Sequence, residues 1–230
     1  ERVDDMVWLM LGTAFHSWVE KFSPDNAEVK IEYEFAGFTI VGIVDLIEGR
    51  TVCDYKVTSV YSFMLGEKPE WEAQLNCYAW LLAQRDQKID GLKIIAILRD
   101  WQASKARHDH NYPQTAIMQH TVRLWTPEKQ EQYVQDRVEA HKRRLGCAPR
   151  PCTDAEKWYR GDAWVVRVPG VKTAKRVLET KDEAEKWAEN NLKVKYDIEW
   201  RSGDYNRCKM YCPVRNFCPN NIYLDGYLPF

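Results

Sequence analysis

The sequence predicts an α/β fold with a mixed central sheet flanked by helices, followed by a small cysteine-clustered α+β module. The first observation behind this prediction is the order of the hydrophobic patterns: a helix, three strands, a second helix and a further strand. The second is a group of cysteines near the C-terminus, preceded by a short stretch rich in proline and glycine. We therefore predict a core over residues 1–150 and a module over residues 151–230.

The predicted core opens with a helix over residues 5–21, because apolar residues recur every three or four positions from Leu11 to Phe22. Three stretches with strand character come next, separated by the turn signals Ala36-Gly37 and Glu48-Gly49. Strands joined by such short turns form an antiparallel meander. The three predicted strands are residues 29–35, 38–47 and 50–58.

The rest of the core alternates helices and strands. Pro69 suits the first turn of a helix, and Thr126 is a suitable cap for another. A continuous apolar run at 92–98 is typical of a buried central strand, whereas the polar residues 101–114 predict a loop. The predicted elements are a helix over 69–85, strands over 92–98 and 116–125, and a helix from Thr126 to about residue 145.

The predicted module contains a hairpin around Pro169-Gly170, followed by a helix and a strand. It also holds all four cysteines that are candidates for a metal site. The predicted module elements are strands over 163–168 and 173–178, a helix over 181–192 and a strand over 195–200.

The overall composition limits the functional classes. The chain of 230 residues has 33 basic and 34 acidic side chains, so it does not bind nucleic acid through bulk positive charge. No apolar run approaches the roughly 18 residues that a bilayer span needs, so we expect no membrane partner. Seven cysteines without a signal peptide favour a reducing cytoplasm and a metal site over disulfides.

Two acidic residues carry the strongest catalytic signal. Asp45 and Asp54 each end a predicted strand of one hairpin, so both carboxylates can converge on one divalent cation. Lys56 projects to the same side as Asp54, because strand side chains alternate with period two. This set suits metal-assisted hydrolysis of phosphodiesters. The alternative is a surface hairpin that carries an ordinary charged pair.

Four motifs resemble, in order, those of the RecB-type branch of the PD-(D/E)XK nuclease superfamily. They are Gly12-Thr13-Ala14-Phe15-His16, the sequence GIVD ending at Asp45, DYK at 54–56, and Gln74-x3-Tyr78. The resemblance implies a restriction-endonuclease-like core and a DNA nuclease, usually an exonuclease, that uses magnesium or manganese.

Carried over position by position, the resemblance also implies the roles of individual residues. His16, Asp45, Asp54 and the backbone carbonyl of Tyr55 would be metal ligands. Lys56 would be the catalytic lysine, and Gln74 and Tyr78 would position the DNA. Without the motif, His16 reads as a packed or exposed helix residue. Glu32 and Glu34 are further carboxylates without diagnostic spacing.

Cysteines Cys208, Cys212 and Cys218 lie within eleven residues, and Cys152 is the candidate fourth ligand. The set resembles the iron-sulfur element of AddB and the CRISPR adaptation nucleases, which implies a 4Fe-4S cluster. In those relatives the lone cysteine precedes the histidine motif, and the first late spacing is usually two residues rather than three. A structural zinc ion, or no metal at all, therefore remains an alternative.

The basic stretch from Trp164 to Val177 contains no acidic residue. Its positive side chains can follow a DNA backbone, and Trp164 can stack on an unpaired base. A soluble hairpin with a charged, hydrated face is the alternative. The candidate DNA contacts are Trp164, Arg167, Lys172, Lys175 and Arg176.

The site residues predict metal-dependent hydrolysis, and the resemblance implies a DNA exonuclease acting on single strands or duplex ends, in phage or mobile-element DNA processing or recombination. An endonuclease or end-trimming nuclease on the same scaffold is one alternative, and a non-catalytic DNA clamp is another. The sequence has no phosphate-binding GxxxxGK[ST] motif, so a helicase partner would be a separate chain. A recombinase or CRISPR partner and a homo-oligomer are compatible with this prediction. The expected location is the cytoplasm of a bacterium or phage-infected host.

Overall fold

The protein forms two compact units, Glu1–Cys147 and Ala148–Phe230, in a computed structural model. The residues that the structure describes are 3–22, 25–66, 68–144 and 150–221. In chain order, the elements of the first unit are α1 (Val3–Glu20), β1 (Ala27–Phe35), β2 (Phe38–Glu48), β3 (Thr51–Thr58), α2 (Val60–Met64), α3 (Pro69–Ala83), β4 (Gly91–Leu98), α4 (Ala103–His108), β5 (Ile117–Val122) and α5 (Pro127–Arg144).

The strands of the first unit form one sheet in the order β1-β2-β3-β4-β5. Strands β3 and β4 run parallel, and the other neighbours run antiparallel. The β1–β2 hairpin turns at Ala36 (φ 54°) and Gly37 (φ 84°), and both lie in the left-handed region that a tight two-residue turn requires. The predicted mixed sheet flanked by helices is confirmed.

Helix α3 packs against all the strands of this sheet and buries its apolar side there. Leu75, Leu81 and Leu82 are almost fully buried, and Ile31 and Ile94 of the sheet join the same core. Burying each such side chain contributes about 1.5–3 kcal/mol. The polar Asn76 is also buried in α3, where its side-chain amide donates to the carbonyl oxygens of Glu72 and Arg123. The core thus fixes α3 against the centre of the sheet.

Two short helices were not predicted from the sequence. The segment 101–114, predicted as a loop, contains α4, which is too short to display an apolar periodicity. Helix α2 is capped by the Ser59 hydroxyl, which accepts a hydrogen bond from Ser62 N. The predicted cap of α5 is present, because Thr126 Oγ1 accepts from Lys129 N. Among the described residues, no helix has both the length and the apolar character needed to cross a bilayer.

The second unit contains a small three-stranded sheet in the order β8 (Arg176–Leu178), β7 (Ala163–Arg167), β9 (Asp197–Arg201), with one helix packed against it. Thr180 and Glu183 form a reciprocal capping box at the start of this helix. Its elements are β6 (Tyr159–Arg160), β7 (Ala163–Arg167), β8 (Arg176–Leu178), α6 (Lys181–Asn191), β9 (Asp197–Arg201) and β10 (Asp204–Tyr205), then a π-helical turn Arg207–Tyr211 and a 3-10 turn Arg215–Phe217.

The two ends of the segment between Cys152 and Cys208 are held together by the short strands β6 and β10, which pair antiparallel. Gly203 lies so close to β6 that an added Cβ would be 2.1 Å from the Arg160 carbonyl oxygen. The ladder is extended by a hydrogen bond from Arg207 N to the Lys157 carbonyl (3.0 Å). The chain just after Cys152 and the chain just before Cys208 are therefore neighbours.

Candidate active site

Asp45 and Asp54 meet where the pairing between β2 and β3 stops. The last paired residues are Leu46 and Cys53, so this register brings the two aspartates next to each other one step further along. The backbone N–H of Tyr55 donates to Asp45 Oδ2 at 2.8 Å. Both aspartates lie within their strands, so the prediction that they end the strands is wrong. The pairing ends there, but each strand continues.

Lys56 lies between the sheet and α3. Its Nζ is 2.7 Å from Asp54 Oδ2 and donates to Asp54 Oδ1 and to Gln74 Oε1, each at 3.0 Å. Gln74 Nε2 in turn donates to the Tyr78 hydroxyl at 2.9 Å. An added Cβ at Gly42 would lie 2.7 Å from Leu81 Cδ1, so the glycine allows α3 to approach this part of β2 closely. Helix α3 thereby orients the lysine.

Burial shapes the electrostatics of the carboxylate pair. Burial first, and then repulsion from Asp54, raises the pKa of Asp45 to about 6. The pKa of Asp54 is raised as well, because burial outweighs the attraction of Lys56. Asp54 Oδ2 is buried and accepts no well-aligned hydrogen bond, even though Lys56 Nζ is close to it. Two buried carboxylates that resist ionisation favour a positive ion beside them.

Helix α1 brings His16 to the same place. Phe15 packs edge-on against the Tyr55 ring, with centroids 5.3 Å apart, which fixes α1 on β3. His16 Nδ1 lies 3.5 Å from Asp45 Oδ1 and 2.9 Å from Glu28 Oε1. One ligand atom from each of these three side chains lies within 4.8 Å of the other two. This donor set of one imidazole and two carboxylates fits a divalent cation.

Glu28 is the residue of this site that the sequence reasoning missed. A signal for it exists in the hairpin, because the turn pairs Phe35 with Phe38 and so fixes the register of β1 against β2. Counting back along both strands from the turn places Glu28 opposite Asp45. The carboxylates considered from the sequence lie elsewhere: Glu32 pairs with Lys30, and Glu34 accepts from Thr39.

The predicted catalytic residues of the first unit therefore lie together, with two networks meeting at the aspartate pair. One network contains Lys56, Gln74 and Tyr78, and the other contains His16 and Glu28. Burial raises the pKa of Tyr78 to about 12, so its phenol stays protonated at neutral pH. The carbonyl of Tyr55 belongs to the stretch of β3 between Asp54 and Lys56.

The candidate DNA contacts of the second unit differ in their surroundings. Trp164 is partly buried against the small core formed with α6. Arg167 Nε donates to Glu199 Oε2 at 3.0 Å, which offsets its charge. Lys172, Lys175 and Arg176 are exposed, on β8 and the loop before it. The three exposed cations are therefore better suited to meet a phosphate than Arg167 is.

The four candidate cysteine ligands are neighbours in the second unit. Burial first, and then the nearby thiols of Cys212, Cys152 and Cys218, raises the pKa of Cys208. None of the four is in a disulfide. Among the described residues, no three cysteine sulfurs lie within 4.8 Å of one another. In contrast, Cys53 is buried in the first unit, and burial raises the pKa of Cys77 to about 11, as expected of packed thiols.

Comparison with known proteins identifies the family. A search of curated proteins found no significant match. One similar solved structure is described as "Crystal structure of SSO0001", with 15% identity and a TM-score of 0.37. The match covers 59% of this chain, and this chain spans 59% of the length of that structure. The family model of the PD-(D/E)XK nuclease superfamily matches residues 2–219. The chain belongs to the PD-(D/E)XK nuclease superfamily.

Proposed function

We propose that this chain is a metal-dependent deoxyribonuclease that removes nucleotides from DNA ends. Membership of the superfamily indicates a nuclease, a hydrolase of a class that typically uses divalent metal ions. The observation that carries the proposal is the position of Lys56 Nζ, within 3.0 Å of both Asp54 and Gln74 and beside a buried aspartate pair. A structural ion pair has no need of a second buried carboxylate at this point, whereas a catalytic centre does.

The ligands of the proposed divalent ion are His16, Asp45, Asp54 and the Tyr55 carbonyl. The hydrogen bond from Tyr55 N to Asp45 Oδ2 orients the Asp45 carboxylate and leaves its Oδ1 facing His16. When bound, the ion polarises the scissile phosphate and lowers the pKa of an attacking water. The carboxylate and carbonyl oxygens of this set suit manganese or magnesium in this role.

Lys56 supplies a fixed positive charge beside the reacting phosphate. Its ammonium group stabilises the negative charge that develops on the phosphate oxygens during hydrolysis. Asp54 and Gln74 hold Nζ from two directions, so little reorganisation is needed when the substrate binds. Tyr78 accepts from the Gln74 amide and so fixes the orientation of Gln74, whose Oε1 then faces the lysine.

The preference for DNA ends, and a role in phage or mobile-element DNA processing, rests on the resemblance to RecB-type nucleases. The proposed substrate is a single strand or a duplex end, and the proposed DNA contacts of the second unit are the exposed Lys172, Lys175 and Arg176. Trp164 and Arg167 support these contacts less well, because each already has a partner within the unit. A helicase, a recombinase or a CRISPR protein would act as a separate partner.

We also propose that Cys152, Cys208, Cys212 and Cys218 hold a 4Fe-4S cluster with a structural role. The electrostatic proximity of Cys208 to the other three thiols supports a shared centre. A tetrahedral zinc site with Zn–S bonds of about 2.3 Å requires sulfurs roughly 4 Å apart. The resemblance to AddB and the CRISPR adaptation nucleases is what favours a 4Fe-4S cluster over zinc. Zinc is the alternative that metal analysis of anaerobically purified protein would reveal.

The test of the proposed polarity uses end-labelled linear DNA beside closed circular single-stranded DNA, with manganese present and protein prepared without oxygen. Loss of linear DNA while circles survive would support an exonuclease, and the label position would give its direction. Nicking of the circles at a comparable rate would instead identify an endonuclease on the same scaffold.

A further inference from the structure

Glu28 has an unusual backbone for a strand residue. It lies in β1 between Ala27, which pairs with Leu46, and Val29, which pairs with Val44. Its φ of 53° falls in the left-handed region, which residues other than glycine adopt at an energetic cost. Such strained residues persist only where the surrounding structure holds them, and they concentrate at functional sites.

The strained backbone accompanies a specific side-chain position. Glu28 Oε1 lies 2.9 Å from His16 Nδ1, and the same nitrogen lies 3.5 Å from Asp45 Oδ1. His16 and Glu28 are each somewhat less than a third exposed, so both are open to an ion but shielded from bulk water. Among the described residues, His16 is the basic side chain that pairs with Glu28.

We propose that Glu28 is a further ligand of the divalent ion, in addition to the proposed ligands His16, Asp45 and Asp54, and that it forms one compact group with His16 and Asp45. This inference rests on the proposed function, because it concerns the same ion. The set has two carboxylates and one imidazole, with ligand atoms already within 4.8 Å of one another. Two carboxylates that share one site favour a dication over a monovalent ion.

Asp54 has a different position in this arrangement. Its carboxylate is paired with Lys56, and it is not part of the compact group formed by His16, Glu28 and Asp45. Glu28 therefore supplies a negative charge on the α1 side of Asp45, where the lysine does not neutralise it. With this arrangement of charges, Glu28 and Asp45 attract the ion while Lys56 stays directed at Asp54 and Gln74.

The test measures manganese binding to the full chain by isothermal titration calorimetry without DNA. Glu28→Gln keeps the size of the side chain and an oxygen that can accept from His16, but it removes the charge. We expect its affinity for manganese to fall by at least about tenfold. The matched control is Glu32→Gln, which removes the same charge from β1 at a position paired with Lys30, and its affinity should stay at the wild-type level.

A second variant separates ligation from folding. Glu28→Gly removes the carboxylate and relieves the left-handed strain, because glycine adopts this φ freely. We expect an unfolding temperature no lower than that of the wild type, together with the same loss of manganese affinity. Wild-type manganese affinity in both Glu28 variants would overturn the inference, and so would the absence of manganese binding by the wild-type chain.

DNA cleavage by the wild-type chain is measured separately in the same preparations. Metal-dependent cleavage by the wild type together with unchanged manganese affinity in the variants would reject Glu28 as a ligand and keep the proposed function. Manganese binding that weakens in the variants, without any cleavage by the wild type, would reject the proposed function and keep the ligand.

Discussion

The first unit buries a large apolar core beneath its candidate site, whereas the described core of the second unit is centred on Val166, Ala184 and Ala188. Two of these three residues are alanines, and the larger apolar side chains around them, such as Trp164 and Ile198, are only partly buried, so hydrophobic packing stabilises the second unit less than the first. The second unit instead has four neighbouring thiols close to the paired strands at its base. Metal-ligand bonds at these thiols would therefore supply part of the folding free energy of the second unit.

A bound metal would therefore have a different role in each of the two units. In the first, the hydrogen bonds of Lys56 and Gln74 are made by the protein alone, so a divalent ion would add chemistry to a fold that is already stable. In the second, a metal centre would contribute to the fold itself. Removal of the divalent ion from the first unit should therefore affect cleavage, whereas removal of the metal from the second unit should affect its folding.

The largest expected effect is on cleavage, through Asp54→Asn or Lys56→Met. Asp54 is fully buried and Asn has nearly the same shape, so the fold of the first unit should persist. The variants lose a proposed ligand or the fixed positive charge, and we expect the single-turnover rate to fall by at least about 100-fold. DNA affinity, measured by fluorescence anisotropy, should change little.

The matched control for the lysine variant is Lys142→Met on α5, where the lysine pairs with Glu139. Its cleavage rate should equal that of the wild type. Full activity in either site variant would contradict the assignment of the catalytic centre.

The next largest expected effect is on the metal content and folding of the second unit. It is tested with the variant Cys212→Ser. A serine cannot replace a thiolate ligand of iron or zinc, so we expect loss of the proposed metal and of the local structure around the four cysteines. Limited proteolysis should then cut within residues 150–221 and leave the first unit intact. The control Cys77→Ser changes a thiol of α3, outside the cluster, and should keep the full metal content. Equal protease resistance in a metal-free Cys212→Ser protein would show that the centre is not structural.

A smaller effect is expected on the stability of the metal-free first unit through Asp45→Asn. The pKa of Asp45 is raised from 3.8 to about 6 in the fold, so the folded state binds the proton more tightly than the unfolded chain. The resulting penalty is absent below about pH 4, grows as pH rises towards 6, and is complete at neutral pH. It amounts to at most about 3 kcal/mol.

Asn at this position can still accept the hydrogen bond from Tyr55 N. In the presence of EDTA, the variant should therefore unfold at a higher temperature than the wild type at pH 7.5 and at a similar temperature near pH 4. Thermal unfolding followed by circular dichroism at both pH values tests this. A variant that is less stable than the wild type at pH 7.5 would mean that the surroundings of Asp45 stabilise its ionised carboxylate instead of destabilising it.

The smallest expected effect is on DNA affinity. It is tested in a variant in which Lys172, Lys175 and Arg176 are all replaced by Ala. If all three contact phosphates, affinity should fall, and the slope of log affinity against log salt should decrease by about 2–3. Replacement of Lys186, exposed on α6, should leave the slope unchanged. An unchanged slope in the triple variant would remove the second unit from the DNA-binding surface.

The parts of the fold and site that could be predicted from the sequence are those that leave a local pattern of residues. The mixed sheet follows from alternating apolar residues and glycine turns, and the closeness of Lys56 to Asp54 follows from the two-residue period of a strand. Helix α4 could not be predicted in this way, because six residues with one buried alanine carry no periodicity.

Features that depend on register or long-range pairing were harder to predict. Glu28 lies beside His16 only because the hairpin register and a left-handed φ bring it there. Arg167 reads as a free cation in the sequence, but its partner Glu199 comes from β9, 32 residues further along. The hairpin register could have placed Glu28 opposite Asp45, but its contact with His16 on α1 and the pairing of Arg167 with Glu199 required the folded structure.

The most direct test of the nuclease assignment is the metal dependence of cleavage by the wild-type chain. Single-turnover cleavage of linear DNA would be followed with manganese, magnesium or EDTA, with DNA binding measured in the same samples. We predict cleavage with manganese or magnesium, and DNA that stays bound but intact with EDTA. Bound and intact DNA under all three conditions would contradict the assignment and identify the chain as a DNA clamp.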